Sequence, residues 1–94
     1  MIKTIGILGG MGPEATAYFY QKIIKFTNAS KDQGHIPTLI YSNPQIPDRT
    51  EAILKNKHGK IVYQLQCAAK TLEKAGADFI VIPCNTAHFY IKEI

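Results

Sequence analysis

Asp78-Phe79-Ile80-Val81-Ile82-Pro83-Cys84-Asn85-Thr86-Ala87-His88 changes character once, at Pro83. The five residues before it are a short apolar run of β-branched and aromatic side chains, the pattern of a strand covered on both faces. The residues after it place a thiol and small polar groups just past that strand's carboxyl end, where open α/β sheets keep their ligand crevice. If Thr86 or Ala87 opens a helix, its free N–H groups and positive dipole end favour thiolate over thiol at Cys84. A thiolate so placed can act as nucleophile, proton carrier or metal ligand.

Working outward from this strand, the chain alternates. Strands are expected at Thr4 to Leu8, Thr38 to Ser42 and Asp78 to Ile82, with a helix from Pro13 to about Asn28 and helices across Arg49 to Ala75. That βαβαβ order specifies an α/β domain: a parallel sheet with right-handed crossovers and helices on both faces, in three layers. Pro13 suits the first position of its helix, and Thr16, Phe19, Tyr20, Ile23, Ile24 and Thr27 recur at helical spacing along one side. Asp48 followed by Glu51 is a capping-box variant. His58-Gly59 breaks the helix that Asp48 opens. Ile61, Leu65, Ala68, Leu72 and Ala75 line one face of the next helix, which Gly76 terminates. Three loops therefore leave one edge of the sheet: Gly9 to Pro13, Ser42 to Arg49, and Cys84 to His88.

Each loop brings different chemistry. Gly9-Gly10-Met11-Gly12-Pro13 allows a tight turn, close approach by a ligand and a helix N-terminus aimed at an anion; the glycines could equally serve the turn alone. Arg49 offers a planar fork suited to a carboxylate, or is an ordinary surface arginine. Thr50 beside it adds a hydroxyl donor or merely begins the helix. Gly10 to Ala15 also fits the dinucleotide pattern G-x-G-x-x-A, but the second strand ends in Tyr41-Ser42-Asn43, without the acidic residue that would hold a ribose. Asp32 has the spacing but precedes that strand. No Gly-Lys-Ser or Gly-Lys-Thr follows the glycines, so a P-loop is excluded.

Ninety-four residues, 46% of them hydrophobic, make at most one domain. The formal charge of +4 comes from eleven basic residues that are scattered, apart from Lys55, Lys57 and Lys60. Nucleic-acid binding would need a denser stripe or a known module. Two cysteines make no disulfide framework, and the apolar runs are far short of a membrane span. A reducing, cytoplasmic setting is expected.

Taken together, Ile5-Gly6-Ile7-Leu8-Gly9-Gly10-Met11-Gly12-Pro13-Glu14-Ala15-Thr16, Pro47-Asp48-Arg49-Thr50, Gly76-Ala77-Asp78 and Pro83-Cys84-Asn85-Thr86-Ala87-His88 resemble the aspartate racemase branch of the aspartate/glutamate/hydantoin racemases. The resemblance covers nearly the whole chain, but only the amino-terminal part of such an enzyme, in which two similar α/β halves enclose the substrate. It implies racemisation of an acidic amino acid, aspartate or glutamate, without pyridoxal phosphate or metal. One cysteine removes the α-proton while another, on the opposite face, supplies one. Cys84 matches the first. Asn85 and Thr86 would contact the α-carboxylate or amino group, Met11 would contribute its backbone, and Arg49, with Thr50 beside it, would pair with a carboxylate. Family members commonly form homodimers, which is the assembly expected here.

The second cysteine of the family, in a Gly-Cys-Thr segment, is not in these residues. Cys67 lies within a helix on the side of Lys70 and Lys74, away from the apolar face, and is expected to be structural or partly exposed. The chain stops at Ile94, about a turn into the helix that should follow the third strand, so it is expected not to racemise alone. His88, four residues after Cys84, is a candidate for a catalytic or orienting role or simply for loop packing. His35 and His58 sit in loops without partner ligands, and no zinc set is formed. Two alternatives remain: a cysteine hydrolase or transferase with His88 as base, and a non-catalytic carboxylate-binding fragment.

Overall fold

The computed structural model describes residues 2–94. Three parallel strands form one sheet in the order β2-β1-β3, with β1 spanning Ile5–Gly9, β2 Thr38–Ser42 and β3 Phe79–Val81. Helix α1 covers Pro13–Phe26, α2 Arg49–Lys55 and α3 Gly59–Ala75, and short 3-10 turns form at Asp32–Gly34 and Thr86–Tyr90. The chain is therefore the α/β sheet that the alternation specifies, with boundaries displaced by one or two residues.

Strand β1, Ile-Gly-Ile-Leu-Gly, is buried along its whole length, as the central strand must be. Side chains alternate across it. Leu8 joins Ile61, Leu65, Ala68 and Leu72 of α3 in the main core, together with Met11, Ile46, Ala52, Ile82, Ala87 and Tyr90. Ile7, also without solvent exposure, points to the opposite face, where Thr16 of α1 lies against Gly9. Helix α3 packs on all three strands, whereas α1 packs on β1.

This asymmetry corrects two expectations. Of the α1 stripe, only Thr16 is buried; Phe19, Tyr20, Ile23 and Thr27 are half-buried and Ile24 is 42% exposed. β3 is not covered on both faces: Phe79 is 45% exposed on this edge strand of the sheet. Ala75, expected on the apolar face of α3, is exposed at the helix end. The Asp48 cap and the Gly76 stop form, but Glu51 does not complete a capping box, and α2 ends at Lys55 with a left-handed Asn56 as its cap, not at His58-Gly59. Asp48 Oδ1 accepts from the backbone N–H groups of Thr50 and Glu51 at 3.0 and 3.3 Å, while Glu51 turns outward to pair with Lys55. Among the described residues, no helix is long and apolar enough to cross a membrane.

Candidate functional site

All three loops at the carboxyl ends of the strands are tied to one another. The Asn43 N–H donates to the Gly9 carbonyl at 3.0 Å, joining the second loop to the first. Gly10 lies so close to Asn43 that a β-carbon would overlap its backbone, and its φ of +101° belongs to the left-handed region. Met11 packs in the same cluster as Ile46 of the second loop and Ala87 of the third, and Cys84 packs against that cluster.

Thr16 anchors the glycine turn from beneath. Its hydroxyl accepts from the buried Gly10 N–H at 2.9 Å and lies 3.2 Å from the Gly12 carbonyl, to which it donates. The N-cap of α1 is Gly12, which supplies no side-chain cap. The first turn of α1 thus presents N–H groups without a side-chain partner at the strand edge, the arrangement that favours a negative group. Met11 is 7% exposed and belongs to the core.

Arg49 opens α2, half-buried. Its Nη1 donates to the carbonyls of Pro47 at 3.2 Å and Ile46 at 3.4 Å, folding the guanidinium back over its own loop. Its Nε is buried without a partner. A buried donor left unpaired costs free energy until an acceptor arrives. Thr50 is exposed next to it, its N–H held by Asp48.

Cys84 is half-buried, with its Sγ 3.3 Å from the Thr86 hydroxyl. Asn85 and Thr86 are exposed. The helix expected near Thr86 is a short 3-10 segment, Thr86–Tyr90. His88 does not bond to the thiol: its Nε2 donates to the Ile82 carbonyl at 2.9 Å, bracing the loop across Cys84. His88 Nε2 is thus engaged by the backbone and not by the thiol. Cys67 is exposed on α3, where its carbonyl accepts from the Thr71 hydroxyl at 2.9 Å. Among the described residues, no three His, Cys, Asp or Glu side chains gather into a metal-binding set.

Two anchoring roles were hidden in the sequence. Thr16 was legible as an inward-facing position but not as the hydroxyl that fixes the glycine turn. Asn43 had a signal in its position before Pro44, since Asn-Pro favours turn initiation. Its side chain accepts from the Gln45 N–H at 3.0 Å and reaches Gln64 of α3 at 3.3 Å.

A parallel sheet whose carboxyl-end loops carry a glycine turn, an arginine and a half-buried thiol has the layout of the open α/β proteins that bind ligands at that edge. Residues 8–94 match the Asp/Glu/hydantoin racemase family, and the chain belongs to that family. Among curated proteins it is 42% identical, over 96% of its length, to the broad specificity amino-acid racemase RacX of Bacillus subtilis. Among solved structures it superposes with a TM-score of 0.89 on the Picrophilus torridus aspartate racemase, at 43% identity over 98% of this chain and 39% of that one. It superposes with a TM-score of 0.76 on an aspartate racemase homologue from Pyrococcus horikoshii, at 33% identity over 98% of this chain and 40% of that one. The chain therefore spans about 40% of the length of the relatives it matches.

Proposed function

We propose that this chain supplies one face of a cofactor-independent amino-acid racemase site, with Cys84 as the acid/base on that face and an acidic amino acid, aspartate or glutamate, as substrate. The observation that carries the reading is the Cys84 sulfur, half-buried at the end of β3 and packed against the cluster that holds Met11. Membership of a racemase family supports proton transfer as the chemistry of that thiol. The thiolate takes the α-proton, and the electron pair left on carbon spreads into the α-carboxylate. Donors fixed around that carboxylate lower the barrier because they are in place before the charge develops. The groups assigned to it or to the substrate's other polar groups are Asn85, Thr86, Arg49, Thr50 and the Met11 backbone. The proton for the opposite face comes from a second thiol outside these residues, since Cys67 points to solvent on α3. Pairing into a homodimer belongs to the same proposal, supported by exposed apolar side chains such as Tyr18, Ile24 and Phe26.

The test is exchange of the substrate α-proton with solvent deuterium, followed by NMR for each enantiomer of aspartate and glutamate. One thiol on one face predicts exchange of a single enantiomer with retention, abolished by Cys84→Ser and unaffected by Cys67→Ser. Exchange that survives Cys84→Ser would sink the proposal. Binding of aspartate without exchange would favour a carboxylate-binding fragment, and a covalent acyl adduct on Cys84 would favour a hydrolase or transferase.

A further inference from the structure

Arg49 opens one short rod, α2, and Cys84 lies just ahead of the amino end of another, the 3-10 segment Thr86–Tyr90. Both rods are about 10 Å long, at about 1.5 Å per residue in an α-helix and about 2.0 Å in a 3-10 helix. They pack against each other, and each buries an alanine, Ala52 or Ala87, in the common core. Their far ends meet at one side chain. His58 Nδ1 lies 2.8 Å from the Tyr90 hydroxyl, at the end of the 3-10 segment, and its Nε2 lies 2.8 Å from Asn56 Oδ1, at the end of α2.

The bonding has one consistent assignment for a neutral ring. Asn56 Oδ1 only accepts, so Nε2 carries the proton and Nδ1 accepts from the Tyr90 hydroxyl. Tyr90 is 2% exposed. Burial, and then the nearby Glu93 carboxylate, raise its phenol above the ordinary tyrosine value, which keeps the hydroxyl a donor. Asn56 is held in the left-handed conformation at φ 53°, where it caps α2 and aims its side chain at His58. The His58 carbonyl accepts from Val62 at 3.0 Å as α3 begins, so the ring stands on the long helix. Phe89 and Tyr90 enclose it, with ring centroids 5.8 and 5.5 Å away. Neither His58 nor Tyr90 bonds to Cys84 or Arg49.

We propose that His58 is a positioning residue: by clipping Tyr90 to Asn56 it fixes the α2 and Thr86–Tyr90 rods at their carboxyl ends and so sets the placement of Arg49 and Cys84 at their amino ends. The inference rests on the roles given to those two residues above. Its physical weight comes from the sensitivity of reacting groups to placement, since a displacement on the order of 1 Å can cost about a hundredfold in rate. A hydrogen-bonded ring between two rods limits such displacement without touching the substrate.

The test uses the chain carrying Cys67→Ser, so that Cys84 is the single thiol, and follows its alkylation by iodoacetamide well below the thermal midpoint, with and without L-aspartate. Tyr90→Phe removes only the hydroxyl; His58→Leu removes both bonds; His58→Gln keeps one donor and one acceptor. Tyr90→Phe and His58→Leu should speed alkylation about three- to tenfold, the range that one hydrogen bond commands, and weaken protection by aspartate by a similar factor. His58→Gln should recover much of the effect. Lys70→Gly, at an exposed position within α3, weakens that helix away from the clip and should lower the thermal midpoint while leaving the alkylation rate unchanged. Rates for Tyr90→Phe and His58→Leu indistinguishable from the parent, or an equal acceleration in Lys70→Gly, would overturn the proposal. If aspartate fails to protect even the parent while the clip variants still accelerate alkylation, the clip stands and the acidic-substrate reading falls.

Discussion

Helices α1 and α3 are both long amphipathic crossovers on the same sheet, yet they are held by different forces. Helix α3 buries Ile61, Leu65, Ala68, Ala69 and Leu72, and it packs on all three strands. Helix α1 buries Thr16 alone and packs on the central strand. One face of the sheet is sealed by hydrocarbon. On the other, Ile40 of β2 and Phe79 of β3 remain 43% and 45% exposed on either side of α1. What secures α1 is close approach: Gly9 has no side chain, so Thr16 settles onto the strand end and its hydroxyl takes up the Gly10 N–H. The sealed face holds most of the buried side chains, and the other face positions the glycine turn.

The most direct way to break this comparison is to empty each helix in turn. Leu65 has no solvent exposure, so Leu65→Ala should cost about 3 kcal/mol through lost transfer energy and the cavity left behind. Urea denaturation measures it. A loss below about 1 kcal/mol, outside the usual range for such a truncation, would show that the α3 face is no better packed than the α1 face.

Gly9→Ala attacks the α1 contact from the strand side. The added β-carbon would overlap Thr16 Oγ1 and stand 2.5 Å from its Cγ2 and 3.0 Å from its Cβ, so the helix must move, at a cost of about 2 kcal/mol. Combining it with Thr16→Ala removes the overlapping atoms, and the double variant should be less destabilised than the sum of the two. Strict additivity would mean that α1 does not bear on Gly9.

Thr16→Val isolates the polar part of the same contact. The shape is kept while the buried Gly10 N–H loses its acceptor, which should cost about 1.5 kcal/mol. Hydrogen exchange at Gly10 should quicken correspondingly, while the amides of α3 stay as protected as the global stability allows.

How legible this was depended on what each pattern encodes. The order of strands and helices followed from alternation, and the Asp48 cap and the Gly76 stop from local chemistry that needs no tertiary partner. The inward face of α3 was readable because its apolar positions meet a sheet made by the same residues. The stripe on α1 was equally periodic and misleading. An apolar stripe states which side of a helix can be buried, not whether these residues bury it. The site followed the same division. Cys84 and Arg49 could be named from residue type and loop position, whereas the Asn43, Thr16 and His58 contacts depend on which loops touch. Nothing in a linear reading joins His58 to Tyr90 across thirty-two positions.

The smallest expected effect is the most diagnostic of the open face. Ile24 sits on the α1 stripe, 42% exposed, beside a groove of about 330 Å³ lined by Tyr20, Ile23, Asp32, His35 and Ile36. Replacing it by serine removes apolar surface that water already reaches, so Ile24→Ser should change the stability of the monomer by less than about 0.5 kcal/mol. Sedimentation and denaturation across a range of protein concentrations separate two outcomes. A concentration-independent loss near zero would show Ile24 bare in solution and would remove its support for the homodimer. A loss above about 2 kcal/mol, growing with concentration, would show Ile24 covered by a second copy in solution, and the contrast between α1 and α3 would then describe the monomer but not the assembly.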